Sequence, residues 1–502
     1  MANRRSLLII GFLTLIAAGM GFAIRAGILG TWAEDFGFTM LELGKITGGG
    51  LIGFGVVVLI GGFLINLVGY KKLLIIAFLL HFVSAAMTLS ADAVFAGGGK
   101  DAVYQILFWG MFLFAIGNGI CEAVINPLTS DIYPEQKTHY LNILHAGWPG
   151  GLVIGGLVAL LNGKGVSWEI LIATFLIPVV IYGAMTLMNK FPRTSAQDAG
   201  IGYGKMLAMC LSPFLILLLI VHALVGYVEL GTDSWITKIT GNILGSGQKG
   251  LYLFIYASML MFILRFFAGP IVHRISSLGL LCGSAVLGAI GLYLISISNN
   301  FGIMFLAVSI YGVGKTFLWP TMLGVVGERF PTAAPVAMGL LGAAGMLSAG
   351  FLGGPGIGYK QDVHATAHLK ANAPAVYDRL KAGEEKGFLF FEKVAGLDGS
   401  KVGMVSDNGK AILEEKDRAG DRLDSEELKP LRDQLTWWEA NKGTAEADAG
   451  PVGEAGIHGS RMAIRLTAII PAIMALLYLL MILGFKAKGG YKQVEHKGVS
   501  SH

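Results

Sequence analysis

Twelve times along its 502 residues this chain stays apolar long enough to cross a bilayer, and no other feature narrows its possible folds as far. The segments fall near 7–33, 44–69, 73–95, 103–131, 139–162, 168–189, 208–236, 250–272, 279–298, 301–327, 332–355 and 462–485. A spanning helix needs about 20 apolar residues, and in hydrocarbon only a helix or a closed barrel can satisfy every backbone polar group. Charged residues make up 14% of the chain, against about 25% in soluble domains. The first segment follows Arg4-Arg5 and passes Ala17-Ala18-Gly19, which resembles a signal peptide. Its apolar run continues to Trp32, so it is expected to remain as the first span. The expected fold is therefore an all-α membrane protein of twelve transmembrane helices.

Charge orients the spans. Lys71-Lys72, Lys137, Lys190, Arg193, Lys205, Arg274 and Arg329 fall in loops on one side, with Lys486, Lys488, Lys492 and Lys497 in the tail. By the positive-inside rule both termini are expected in the cytoplasm, in a plasma (inner) membrane. The three cysteines, Cys121, Cys210 and Cys282, lie in apolar stretches and suggest neither a disulfide framework nor a thiolate metal site.

The two halves repeat. Gly62-Phe-Leu-Ile-Asn66-Leu-Val-Gly69 closes the second span and Gly269-Pro-Ile-Val-His273-Arg274 the eighth, 207 residues later. Trp32 and Trp235 are 203 apart, and Pro134 and Pro331 are 197 apart. This implies two pseudo-symmetric six-helix bundles, with a solute site near the midplane between them. The expected organisation is a first bundle at 1–189, a cytoplasmic linker at 190–207, and spans seven to eleven at 208–355. An insert at 356–460, the last span at 461–485 and a tail at 486–502 complete it.

The turn Gly62–Lys72 resembles the major facilitator signature G-x-L-x-D-R-x-G-[RK]-[RK], with Asn66 and Leu67 in place of its acid and arginine. A narrower match is Gly117-Asn118-Gly119-Ile-Cys-Glu122-Ala-Val-Ile-Asn126-Pro127, followed by Tyr140-Leu141-Asn142-Ile-Leu-His145. It is similar to the fucose/hexose–proton symporter group, whose fourth helix carries a glycine-rich stretch and E-x-x-x-N-P. The resemblance implies a sugar–proton symporter with Glu122 as its coupling acid. That group also places an acid in its first helix, where this chain has Arg25 and no Asp or Glu.

Ionisable residues inside spans are costly to insert and are functional candidates for that reason. Glu122 lies twelve residues before Pro134, roughly 18 Å of helix and hence near the midplane. Asn118, Glu122 and Asn126 recur every four residues, forming one polar stripe. Asn142, His145 and Trp148 share a face of the fifth span, and the indole could stack on a sugar's C–H face. His222, Glu229 and Asp233 lie close to one face of the seventh span. Glu229 is the better candidate of these, serving solute binding and proton coupling with Glu122, while Asp233 nears the interface and could be solvated. By the 197-residue repeat, Lys315 and Trp319 fall opposite Asn118 and Glu122. Arg25 is expected in the cavity facing Glu229. Arg265, in the eighth span, is read equally well as a structural pair beneath the following turn. The solute-contact set is thus Arg25, Asn118, Glu122, Asn126, Asn142, His145, Trp148, Glu229, Lys315 and Trp319.

Gly312-Val-Gly314-Lys315-Thr316 resembles the end of a phosphate-binding loop, but Ser309 stands where that loop needs glycine, and the stretch lies in an apolar span. Nucleotide is therefore not the expected energy source. The insert carries 14 Lys/Arg against 19 Asp/Glu; on this topology it is extracytoplasmic, since long domains translocate largely regardless of charge. Asp424 and Glu427 stand at capping-box spacing before an expected helix reaching Ala440. His364 and His368 could ligate a metal but lack a third partner at convincing spacing. No enzymatic activity, cofactor, metal or nucleic acid is expected. The expected partners are a small solute, the proton and the bilayer, and the chain is expected to act as a monomer. Two other readings stay open: transport of an anionic solute (a sugar acid, sulfonated sugar or sugar phosphate) held by Arg25 and Lys315, and a non-transporting receptor whose insert binds the partner.

Overall fold

The computed structural model describes residues 3–38, 43, 45–47, 50–383, 385, 387–424 and 426–494. Lys497 of the basic tail and Ser425, which lies between the expected capping pair Asp424 and Glu427, are outside the described residues. Among those described, eleven helices are long and apolar enough to cross a membrane, and the apolar stretch Gly53–Val68 supplies a shorter twelfth. In chain order they are α1 (Arg4–Gly27), α2 (Gly50–Val68), α3 (Tyr70–Leu89), α4 (Ala91–Ile132), α5 (Lys137–Ala159) and α6 (Trp168–Met188). The second half has α7 (Pro213–Leu244), α8 (Gly247–Arg265), α9 (Ala268–Ile297), α10 (Phe301–Arg329), α11 (Pro331–Asn372) and α12 (445–487).

Local chemistry sets the ends. Asn3 accepts from the backbone N–H groups of Arg5 and Ser6 at the start of α1, and Ser212 caps α7 with Pro213 in its first turn. Ser276, at φ 65°, breaks α9, so the stretch before it continues α8 and the stretch after it is the ninth span. Even-numbered helices return to the side of α1's first residue. Both described ends, Asn3 and Val494, therefore lie on one side, called here the termini side. The opposite face is the insert side.

An apolar core runs through both halves, from Leu7, Val58 and Leu128 to Leu318, Met322 and Met338. A second, with Ile24, Trp32, Phe36, Trp168 and Phe175, belongs to the first half alone. Leu79 on α3, Ile177 on α6, Val286 on α9 and Leu480 on α12 remain exposed, as expected of outer helices facing lipid. The halves meet where α2 crosses α11. A Cβ on Gly62 would lie 2.8 Å from Pro335 O and 3.1 Å from Gly339 Cα, so only glycine allows this approach. The linker docks on the signature turn. Thr194 Oγ1 donates to Asn66 Oδ1 at 2.6 Å, and Asp131 accepts from Ser195 N at 3.1 Å and Tyr70 OH at 2.8 Å.

The insert's edges differ from expectation. Residue 356 falls within a helix that runs on to Asn372, and residue 460 within one that begins at Ala445. α11 and α12 thus continue past their apolar stretches and pack on each other, with Gly459 against Gln361 O. The segment joining them, 373–444, folds around Met404, Ile412, Leu431 and Trp438, and Arg379 Nε anchors it to buried Asp448 at 2.9 Å. The expected capped helix begins later, at Lys429, with Leu428 and no side-chain cap at its start. His368 stacks on His458 of α12, ring centroids 4.6 Å apart.

Candidate solute site between the halves

Leu15, Ala18, Asn118, Glu122, His145 and Trp148 of the first half enclose a cavity with Glu229, Arg265, Trp319 and Met346 of the second. α4 places Asn118, Glu122 and Asn126 on one face, and each side chain is buried. Glu122 Oε1 accepts from Asn126 Nδ2 at 3.1 Å and from Trp319 Nε1, across the cavity, at 3.3 Å. His145 Nε2 lies 2.9 Å from Asn126 Oδ1 and 3.6 Å from Glu122 Oε1. Asn118 Oδ1 lies 3.0 Å from His81 Nε2, and that ring's Nδ1 lies 2.9 Å from Tyr182 OH. The polar stripe is thus braced from behind by α3 and α6.

Arg265, left outside the expected solute site, is central. Its Nη2 donates to Glu229 Oε1 at 3.1 Å, its Nη1 to His145 O at 2.5 Å and its Nε to Thr316 O at 2.8 Å. One guanidinium therefore joins α5 of the first half to α7 and α10 of the second. Glu229 Oε2 is buried with no hydrogen-bond partner among the described residues, so this carboxylate keeps an unused acceptor beside the cavity.

Several expected placements are corrected. Arg25 does not face Glu229: its Nη2 donates to Ser84 Oγ at 3.1 Å, and its guanidinium sits 4.3 Å from the Phe114 ring centroid and 5.0 Å from that of Phe175. It is held inside the first bundle by hydrogen bonds and cation–π contacts. Lys315 does not line the cavity, because its Nζ is drawn to Asp233, which is an ion-pair partner rather than a solvated interface acid. Asn126 and Asn142 sit just behind the lining, Asn142 Nδ2 donating across the halves to Thr321 Oγ1 at 3.1 Å. Of the ten expected residues, Asn118, Glu122, His145, Trp148, Glu229 and Trp319 line the cavity.

A second polar cluster, missed in the sequence, closes the termini side. Buried Glu328 accepts from Thr138 Oγ1 at 2.6 Å, Ser277 Oγ at 3.0 Å and Tyr491 OH at 2.6 Å. Lys137 Nζ donates to Gly327 O at 2.7 Å, and Val494 N to Glu328 O at 2.9 Å. Its signal in the sequence is the acid Glu328 at the end of an apolar run, beside Arg329, which the loop-charge pattern alone accounts for. The cavity itself has about 50 Å³ of free space. Small-molecule sites typically hold about 300–1,000 Å³, so a solute of that class needs a wider cavity than this one.

Two six-helix bundles around a central polar cavity, with α7 widened to a π-helical turn at Tyr227–Gly231 and α11 at Ala349–Gly353, define a secondary transporter fold. The family profile described as Major Facilitator Superfamily matches residues 11–354, and the chain belongs to that superfamily. No curated protein matches the sequence. Among solved structures, FucP, a major facilitator transporter in the outward conformation, superposes with TM-score 0.57 at 16% identity, covering 72% of this chain and 92% of that one. The proton:xylose symporter XylE, bound to 6-bromo-6-deoxy-D-glucose, gives 0.58 at 14% identity, over 73% and 90%. A bacterial homolog of the human lysosomal transporter Spinster, inward-facing and unoccupied, gives 0.59 at 15% identity, over 98% and 99%. At these identities the likeness is one of fold. The chain is a multi-pass membrane transporter of the Major Facilitator Superfamily.

Proposed function

We propose that this transporter moves a sugar across the plasma (inner) membrane by alternating access, coupled to protons, with its termini side cytoplasmic, acting as a monomer. The observation that carries the reading is Glu122, a buried acid lining the cavity between the halves and bonded to Trp319 across it. A carboxylate Oε1 accepts from Trp319; protonating that oxygen makes it a donor and weakens the bond. Proton uptake and release thereby couple to separation of the halves. Glu229 and Arg265 offer an acceptor and a donor to sugar hydroxyls, while Trp148 and Trp319 offer apolar ring faces. Asn118 and His145 complete the contacts, with Asn126 and Asn142 orienting them. Glu229 shares the proton role through its free Oε2. The sugar symporters among the fold's relatives support this choice of solute. Arg25 and Lys315 already have partners within their own bundles, which leaves the anionic-solute reading without its two cations.

The test is uptake into proteoliposomes of labelled neutral hexoses and pentoses, each beside its acidic derivative, under an imposed pH gradient. Accumulation of a neutral sugar that a proton ionophore abolishes is expected. Accumulation of acidic derivatives alone, or uptake indifferent to the ionophore, would overturn the proposal.

A further inference from the structure

The insert carries an exposed aromatic turn that the spans do not account for. Residues 388–391 read Phe-Leu-Phe-Phe, between Glu384-Glu385-Lys386 and Glu392-Lys393. Phe391 N donates to Phe388 O at 2.9 Å, and Leu389 at φ 54° completes a tight reversal. The turn presents its apolar side chains outward: Leu389 is 66% exposed, Phe390 86% and Phe391 50%. A soluble domain would not leave three such adjacent side chains open without a partner.

The turn is fixed at one height. Tyr359 of α11 donates its hydroxyl to Glu392 O at 2.7 Å, and its ring lies 6.0 Å from Phe388 and 5.9 Å from Phe391. Tyr359 stands where α11 leaves its apolar stretch, one residue before Lys360, the position at which aromatic rings mark a membrane interface. Pro355 and Phe351, four and eight residues earlier on the same helix, are exposed. They form with Tyr359 an i, i+4, i+8 stripe on the outer flank of α11. α11's contacts with α2, through Gly339 and Gly342, and with α7, through Gly345 and Gly353, lie on its other faces. The aromatic turn therefore caps a lipid-facing stripe.

We propose that Phe388–Phe391 is an interfacial anchor, dipping Leu389, Phe390 and Phe391 into the insert-side leaflet beside α11 and holding the insert against the bilayer. The flanking Glu385, Glu392 and Lys393 remain in the headgroup layer, as charges do for amphipathic interfacial segments. The partner is the acyl–headgroup boundary itself, with no particular lipid required.

The test places a nitroxide on Phe390→Cys in full-length protein, reconstituted in phosphatidylcholine vesicles. Glu414→Cys, on the insert's solvated surface, is the reference, and labelled wild type supplies the background of Cys121, Cys210 and Cys282. At 390 the label is expected to collide with molecular oxygen in preference to a water-soluble nickel chelate, with a ratio several-fold above that at 414. Equal ratios at the two sites would place the turn in water and overturn the proposal. Low collision with both probes would place it against protein. Spin–spin broadening that disappears on dilution with unlabelled protein would make a second copy its partner. Either of these also overturns it. Phe390 packs little within the fold, so its substitution leaves folding intact.

Discussion

Glu122 and Trp319 occupy equivalent places in the two sequence repeats, 197 residues apart, and they touch: the indole N–H of Trp319 lies 3.3 Å from Glu122 Oε1. Residues near a pseudo-two-fold axis meet their own counterparts, so this bond sits close to the axis that relates the two halves. Hydrogen bonds to charged groups contribute about 1.5–3 kcal/mol. Trp319→Phe keeps a ring against His222, 4.4 Å away between centroids, and removes only the donor. The variant is expected to open the cavity more often. A cysteine introduced at Ala18, which lines the cavity, should then react several-fold faster with a membrane-impermeant thiol reagent. An unchanged rate would show that the bond does not hold the halves together.

Glu229 and Arg265 form the buried ion pair that the sequence assigned to Glu229 and Arg25. Both side chains are nearly inaccessible, and removing one partner of such a pair costs about 3–5 kcal/mol because the other charge is left uncompensated. Arg265→Gln and Glu229→Gln should each abolish uptake and lower thermal stability. The double variant should be more stable than the sum of the single losses predicts, whereas Arg25→Gln with Glu229→Gln should be additive. A thermal-shift cycle in detergent separates the two pairings.

Legibility followed the physics of each signal. The spans and the duplication could be read directly, because apolar length and repeat spacing are properties of the chain itself. The stripe Asn118–Glu122–Asn126 could be read for the same reason, since helical periodicity fixes which residues share a face. Arg25 went wrong because repeat equivalence specifies matching positions on α1 and α7, not the direction of a long side chain. Phe114 and Phe175 drew Arg25 into its own bundle. Arg265 was undervalued because its partners, His145 O and Thr316 O, are backbone atoms on distant helices. The insert's edges were misplaced because α11 and α12 exchange apolar for polar residues at 356 and 460 without ceasing to be helical.

Glu328 gathers Thr138 from the first half, Ser277 from the second and Tyr491 from the tail. Glu328→Ala removes the acceptor of all three hydroxyls, and removing the tail after Gly490 deletes one of the donors. Both should favour opening on the termini side, the truncation less strongly. Nitroxide pairs spanning the turns after α4 and α10 should show a longer mean distance in each variant. An unaltered distance distribution would mean that the cluster is not a latch.

The transport core is expected to work without the insert, provided the cut respects the helices. Replacing 373–444 by a short flexible linker keeps the packed extensions of α11 and α12. Cutting at 355 and 461 removes Gly459 and Gln361 from that packing. The first deletion should retain measurable uptake, and the second should lose thermal stability. Complete loss of uptake in a correctly inserted first deletion would assign the insert to the transport cycle.

Glu122→Gln tests the coupling role most directly. Gln has nearly the shape of protonated Glu122, offers Asn126 Nδ2 and Trp319 Nε1 an uncharged and therefore weaker acceptor, and cannot take up or release a proton. A transporter that moves its solute only when Glu122 is protonated, or when solute is bound, should still exchange solute in this variant. Exchange requires only the solute-loaded form to cross between states, whereas accumulation also requires proton release on one side. Glu122→Gln is therefore expected to exchange labelled for unlabelled solute at a rate near wild type, and to lose accumulation driven by a pH gradient. His145→Gln, which removes the imidazole at 3.6 Å but leaves the acid, should slow both processes while preserving the pH response. Both assays use the same proteoliposomes, so reconstitution efficiency cancels. Should the Glu122→Gln protein still concentrate solute on a proton gradient, the proton must travel elsewhere, and Glu229 with its free Oε2 becomes the residue to test.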